Sequence, residues 1–119
     1  MESLDGKTVY YMKGEGDPEA SMTLWRIPVG GGEESQVLPS VIFLAFTLVN
    51  DGIYFIPKPS ADGKYAIQFL SFATGKVKTV APIPATPWLG LTVSPDRRYL
   101  LYTQRDEQSN DLMLVENFR

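Results

Sequence analysis

The sequence repeats itself with a spacing of 45 to 46 residues between its turn aspartates, and no other feature limits the fold as strongly. Three turn-rich segments recur: Ser3-Leu4-Asp5-Gly6-Lys7, Val49-Asn50-Asp51-Gly52 and Ser94-Pro95-Asp96-Arg97-Arg98. Each leads into a short aromatic and aliphatic run, namely Val9-Tyr10-Tyr11, Ile53-Tyr54-Phe55 and Leu100-Leu101-Tyr102. A second element keeps the same register. Leu24–Val29 aligns with Ile67–Phe72 and with Leu112–Asn117, the starts lying 43 and 45 positions apart. The second copy lacks two residues after its glycine, a difference that a hairpin tolerates. Self-similarity at a fixed period of this length is the signature of a repeat architecture.

The local chemistry is that of strands. Asp-Gly pairs supply the positive backbone dihedrals of tight hairpins. Tyr, Phe, Val, Ile and Thr dominate between the turns, and no stretch sustains a helical period. Pro57, Pro59, Pro82, Pro84 and Pro87 stand between the runs, where a missing N–H does least harm. A glycine turn follows the second element in two copies, at Gly30-Gly31-Gly32 and Ala73-Thr74-Gly75. A short closing run comes next, Gln36-Val37-Leu38 and Lys78-Thr79-Val80. The reading is an all-β chain of about three four-stranded antiparallel propeller blades. The repeats span about 1–40, 41–84 and 85–119 of a single segment.

At this point the residues resemble a known family. A Ser-x-Asp-Gly-Lys turn before an aromatic strand, followed by Leu-Trp-x-Ile-x-x-x-Gly-Gly, is similar to the repeat of TolB-like propellers, distant relatives of WD-repeat proteins. Ser3–Lys7 and Ser94-Pro95-Asp96 fit that repeat, and the second turn fits at Asp51-Gly52. The resemblance covers essentially the whole chain. It implies a sensor or interaction propeller at the C-terminal end of a larger bacterial regulator or kinase-type protein. It also implies an inner strand before each turn. Copy two has one in Val41–Leu48 and copy three in Trp88–Val93, whereas copy one has only Met1 and Glu2 there. Copy three ends before its closing strand. Propellers need four to eight blades to close, so this chain is expected to be half of a six-bladed ring, completed by a second copy or by further sequence.

The site expectations follow from what each residue type can do. Asp5, Gly6, Asp51, Gly52 and Asp96 are expected to shape turns, the aspartates accepting hydrogen bonds from their own turns. Tyr11, Trp25, Phe55, Trp88 and Tyr102 are expected to pack between blades. Gly30-Gly31-Gly32 leads into Glu33-Glu34 and a strand rather than a helix, so it reads as a hairpin and not as a phosphate loop. Gly14-Glu15-Gly16-Asp17 lacks the alternating acids of a calcium loop.

Composition narrows function by exclusion. The chain of 119 residues contains no Cys and no His, which removes thiolate nucleophiles, the usual triads and the usual zinc shells. No Gly-x-Ser-x-Gly elbow occurs. No catalytic, cofactor-binding or metal-ligating set is therefore assigned. Eleven basic against fourteen acidic residues give a net charge of −3, and Arg97, Arg98 and Arg105 are interleaved with Asp96, Asp106 and Glu107. That pattern is a mixed-charge surface, not a nucleic-acid footprint. The apolar run Val41–Val49 is nine residues long, short of the roughly twenty that a membrane helix needs. Met1–Gly6 lacks the basic and apolar regions of a signal peptide, and the compartment stays open.

The function expected is a non-enzymatic interaction or scaffold module that presents loops to a protein or a small ligand and associates with itself. Two alternatives remain: the non-catalytic propeller of a peptidase or glycan-active enzyme, and a truncated self-associating fragment.

Overall fold

The structure, a computed structural model, describes residues 1–3, 5–14, 21–42, 45–59, 61–83, 87–105 and 110–116. Ten antiparallel strands and no helix occur among them. The first sheet has the order β1 (Thr8–Lys13), β2 (Ser21–Pro28), β3 (Ser35–Ile42). The second runs β4 (Phe46–Val49), β5 (Gly52–Phe55), β6 (Tyr65–Ser71), β7 (Val77–Ile83). The third contains β8 (Pro87–Val93), β9 (Tyr99–Arg105) and β10 (Asn110–Glu116). Every sheet is an up-and-down meander, the topology of a propeller blade.

The shortest dimension of the molecule is 24 Å, against 45 and 35 Å for the others. A seven-residue strand is about 23 Å long at 3.3 Å per residue. The strands therefore run through the thickness, and the three sheets fan out in the plane of the longer dimensions. The inner strands β4 and β8 approach one another, as they do around a propeller axis.

The repeat survives at the level of cross-strand pairs. Tyr10 lies opposite Arg26, Tyr54 opposite Phe69, and Leu101 opposite Leu114. On the other face Tyr11 lies opposite Trp25, Phe55 opposite Gln68, and Tyr102 opposite Met113. Because side chains alternate along a strand, each sheet turns one set toward the following blade and the other toward the preceding one.

Two cores result, one on each face of the middle sheet. Tyr10 and Leu24 of the first sheet pack with Ile53, Phe55 and Leu70 of the second. Tyr54, Ile67 and Phe69 of the second pack with Leu100 and Tyr102 of the third. Leu24, Ile53, Ile67 and Leu100 are wholly removed from solvent.

Two local findings refine the expected strand plan. The apolar run Val41–Val49 is divided between blades: Val41 and Ile42 end β3, where Val41 lies opposite Met22, and Phe46–Val49 forms β4. The crossing is held by Ile42 N–H donating to the Ile56 carbonyl, and by Ile56 N–H donating to that of Ala45. These bonds pair backbone groups of Ile42, Ala45 and Ile56 between the two sheets. At the other end, Met1 and Glu2 occupy the inner position of the first sheet. Tyr10 N–H donates to the Met1 carbonyl at 2.7 Å, and Glu2 forms a bridge with Val9.

Candidate functional site

The turns that begin β1 and β9 are built from the same bonds. In the first, the Ser3 hydroxyl donates to Asp5 at 2.6 Å, the Lys7 N–H to the same carboxylate oxygen, and Thr8 N–H to Ser3 Oγ. In the third, the Ser94 hydroxyl donates to Asp96 at 2.7 Å, with Arg98 N–H and Tyr99 N–H in the corresponding places. The hydroxyl bond, and then the backbone N–H, hold both carboxyls below the usual aspartate range.

A depressed folded-state pKa contributes stability that is present above the unfolded value, near pH 4, and is lost as pH falls. Denaturation midpoints are therefore expected to fall between about pH 5 and pH 3. The fall should shrink in an Asp5→Asn, Asp96→Asn double variant, and an unchanged pH profile in that variant would rule out the turns as its source.

The middle turn differs. With two residues fewer, β4 and β5 meet at the Val49–Gly52 pair, and the Asp51 carboxylate accepts instead from Arg97 of the third blade at 2.7 Å. Asp51 was expected to close its own turn; the shorter loop leaves its carboxylate to bridge blades.

Arg97 is the residue that sequence reasoning missed. It holds the place of Gly6, and its φ of 60° is the one positive value at a non-glycine among the described residues. From that backbone its guanidinium reaches the Tyr54 hydroxyl at 2.9 Å as well as Asp51. It lies 5.5 Å from the Tyr54 ring centre and 5.6 Å from that of Phe69. The Tyr54 bond, more than Asp51, raises its pKa further. Its Nε is buried without an acceptor among the described residues. In sequence Arg97 belongs to a mixed-charge cluster; the only hint of its role was a large side chain where the first copy has glycine.

Between the first and second blades the same position is open. A cleft of about 320 Å³ is lined by Asp5, Tyr10, Arg26, Asn50 and Phe72, among others. Tyr10 and Phe72 stack with ring centres 6.2 Å apart. Phe72 is nevertheless 41% exposed, a large apolar surface left facing the opening. Arg26 donates through Nε to Ser35 Oγ on the neighbouring strand.

The other expected packing residues divide by face. Phe55 and Tyr102 are buried, one in each core, and removal from water raises the Tyr102 pKa. Tyr11 and Trp25 are half-buried and belong to neither core, because their face of the first sheet points away from the second blade. There Lys13 lies 4.3 Å from the Trp25 ring centre, and Glu34 accepts from both Lys13 and the Tyr11 hydroxyl. The side chain of Trp88 lies outside the described residues. At the opposite end Leu114, on the outward face of the third sheet, is 51% exposed. Among the described residues no three Asp or Glu side chains gather as a metal site, and no helix is long and apolar enough to cross a membrane.

Among solved structures the chain is similar to the crystal structure of TolB from Acinetobacter baumannii. The TM-score is 0.73 at 21% sequence identity, over 98% of this chain and 29% of that one. No protein-family model matches the sequence, and no curated protein matches it. The fold is thus that of a TolB-type propeller, and the chain spans about three tenths of that relative's length.

Proposed function

We propose that the chain is a non-enzymatic interaction module whose recognition site is the cleft between its first and second blades. The observation that carries this reading is the cleft itself: charged groups of both signs and a stacked aromatic pair converge on it, and Phe72 stays exposed at its mouth. Exposed aromatics beside convergent polar groups are the usual make-up of a binding site. The test is a thermal-shift screen of peptides and small metabolites against the chain and its Phe72→Ala variant. Ligands that stabilise the parent and not the variant support the site. A screen in which every hit is insensitive to Phe72 overturns it. Turnover of any compound, abolished by changing a single Asp or Glu, would overturn the non-enzymatic part.

Self-association is the second reading, and its own observation is apolar surface on the two end faces, where Leu114 is 51% exposed. Val9 and Tyr11 occupy positions whose counterparts in the later blades, Ile53 and Phe55, Leu100 and Tyr102, pack on a preceding blade. Leu101 and Leu114 occupy those that pack on a following one. Wetting such surface forfeits about 25 cal/mol per Å². Joining the third blade of one copy to the first of another, twice, gives a closed six-bladed ring with twofold symmetry. Sedimentation at micromolar concentration is expected to show a dimer that Leu114→Glu disperses to monomer. A monodisperse parent monomer rejects self-association, and an open series of sizes rejects closure.

A further inference from the structure

The chain contains a filled version of its own cleft, and the filling identifies the ligand chemistry. Asp5 corresponds to Asp51, and Tyr10 to Tyr54. The wall contributed by the next blade is the Asn50 turn in one case and the Arg97 turn in the other. Between the second and third blades the seat holds a guanidinium, fixed by a carboxylate, a phenol hydroxyl and ring faces.

The reason that the first seat is empty is also visible. The second turn is two residues shorter, and its glycine cannot project a side chain. A Cβ on Gly52 would stand 2.1 Å from the Leu70 carbonyl oxygen and 2.4 Å from the Phe69 ring. Gly52, which stands where Arg97 stands in the third turn, therefore cannot do for the first blade what Arg97 does for the second.

Resting on the cleft as the recognition site, we infer that it receives the guanidinium of an arginine that carries an acidic group close by. Asp5 and the Tyr10 hydroxyl would take the guanidinium, and the Tyr10–Phe72 pair supplies the aromatic surface on which such planar cations stack. The acidic group is required by a departure between the seats on the wall of the first-named blade. Arg26 stands where Phe69 stands in the filled one, opposite the tyrosine of its own sheet. A lone cation would meet a like charge there. An arginine with a neighbouring carboxylate, whether a free amino acid or the last residue of a peptide, satisfies both.

Calorimetric or NMR titration with three probes tests the inference. N-acetyl-arginine has both groups, N-acetyl-arginine amide lacks the carboxylate, and N-acetyl-citrulline replaces the guanidinium by a neutral urea of the same shape. Millimolar binding is expected for the first, with losses of about tenfold for each of the others. Arg26→Gln should erase the difference between acid and amide while keeping that between arginine and citrulline. Free arginine matching N-acetyl-arginine points to the amino acid, and preference for a peptide ending in arginine points to a chain terminus. Arg97→Gly keeps the backbone turn and vacates the second seat, so a second equivalent is expected in a variant that still melts cooperatively. Citrulline binding as well as arginine, or no probe binding at all, overturns the inference. Should the broad screen still yield Phe72-dependent ligands, the cleft remains a site and only its arginine chemistry falls.

Discussion

Gly52→Ala is expected to destabilise the chain by about 3 kcal/mol or more, at the upper end of what overpacking costs. The new Cβ would meet the Leu70 carbonyl oxygen at 2.1 Å and two carbons of the Phe69 ring at 2.4 and 2.5 Å. Such contacts are relieved only by separating β5 from β6, which pair through Gly52 and Ser71. A ring could rotate away; a ladder carbonyl cannot. Moving Phe69 would also remove one of the two rings beneath Arg97, so packing and the inter-blade clamp fail together. Gly30→Ala is the control, since a Cβ there meets nothing within 4 Å and surface changes stay within about 0.5 kcal/mol. Urea denaturation of the two variants measures the difference, and a Gly52→Ala midpoint equal to that of Gly30→Ala would show that the strand yields freely.

The second large effect comes from truncating the middle blade on either face. Ile53 and Ile67 are both fully buried on neighbouring strands, Ile53 in the core shared with the first blade and Ile67 in the core shared with the third. Each change to alanine is expected to cost about 2–5 kcal/mol, the transfer loss plus an unfilled cavity. A domain of this class has only about 5–15 kcal/mol in total. The two losses should appear in different places, because blades of a repeat array contact only their neighbours. Hydrogen exchange is expected to accelerate mainly in β1 and β2 for Ile53→Ala, and mainly in β9 and β10 for Ile67→Ala. Uniform acceleration throughout in both variants would instead mark one indivisible cooperative unit.

The parts legible in the sequence were those fixed by short-range chemistry. Ser3 with Asp5, and Ser94 with Asp96, lie two positions apart, so turns that bond within themselves could be read directly. Alternating apolar strands at a constant period set the blade plan in the same way. What stayed hidden depends on contacts between copies. The Arg97–Asp51 bond joins residues 46 positions apart, and nothing local distinguishes that arginine from the exposed Arg98 beside it. The direction faced by Tyr11 and Trp25 was equally invisible. Alternation tells which residues share a face, and it does not tell whether a blade lies across from that face. The cleft could not be read either, because its lining residues, from Asp5 and Tyr10 to Asn50 and Phe72, come from two blades and lie far apart in the sequence.

The assignment of one sheet face to the preceding blade and the other to the following one gives the chain a growth rule. A duplication of one repeat length inserts a unit that already carries both kinds of surface, so the array lengthens without inventing a contact. Loss of a unit leaves the survivors compatible in the same way. Blade number in such a lineage is then limited by the angle at which the last face meets the first, and not by the chemistry of any single junction. What differs from junction to junction is the turn: the third places Arg97 against Asp51 and Tyr54, and the shorter second one borders the cleft beside Asp5 and Tyr10.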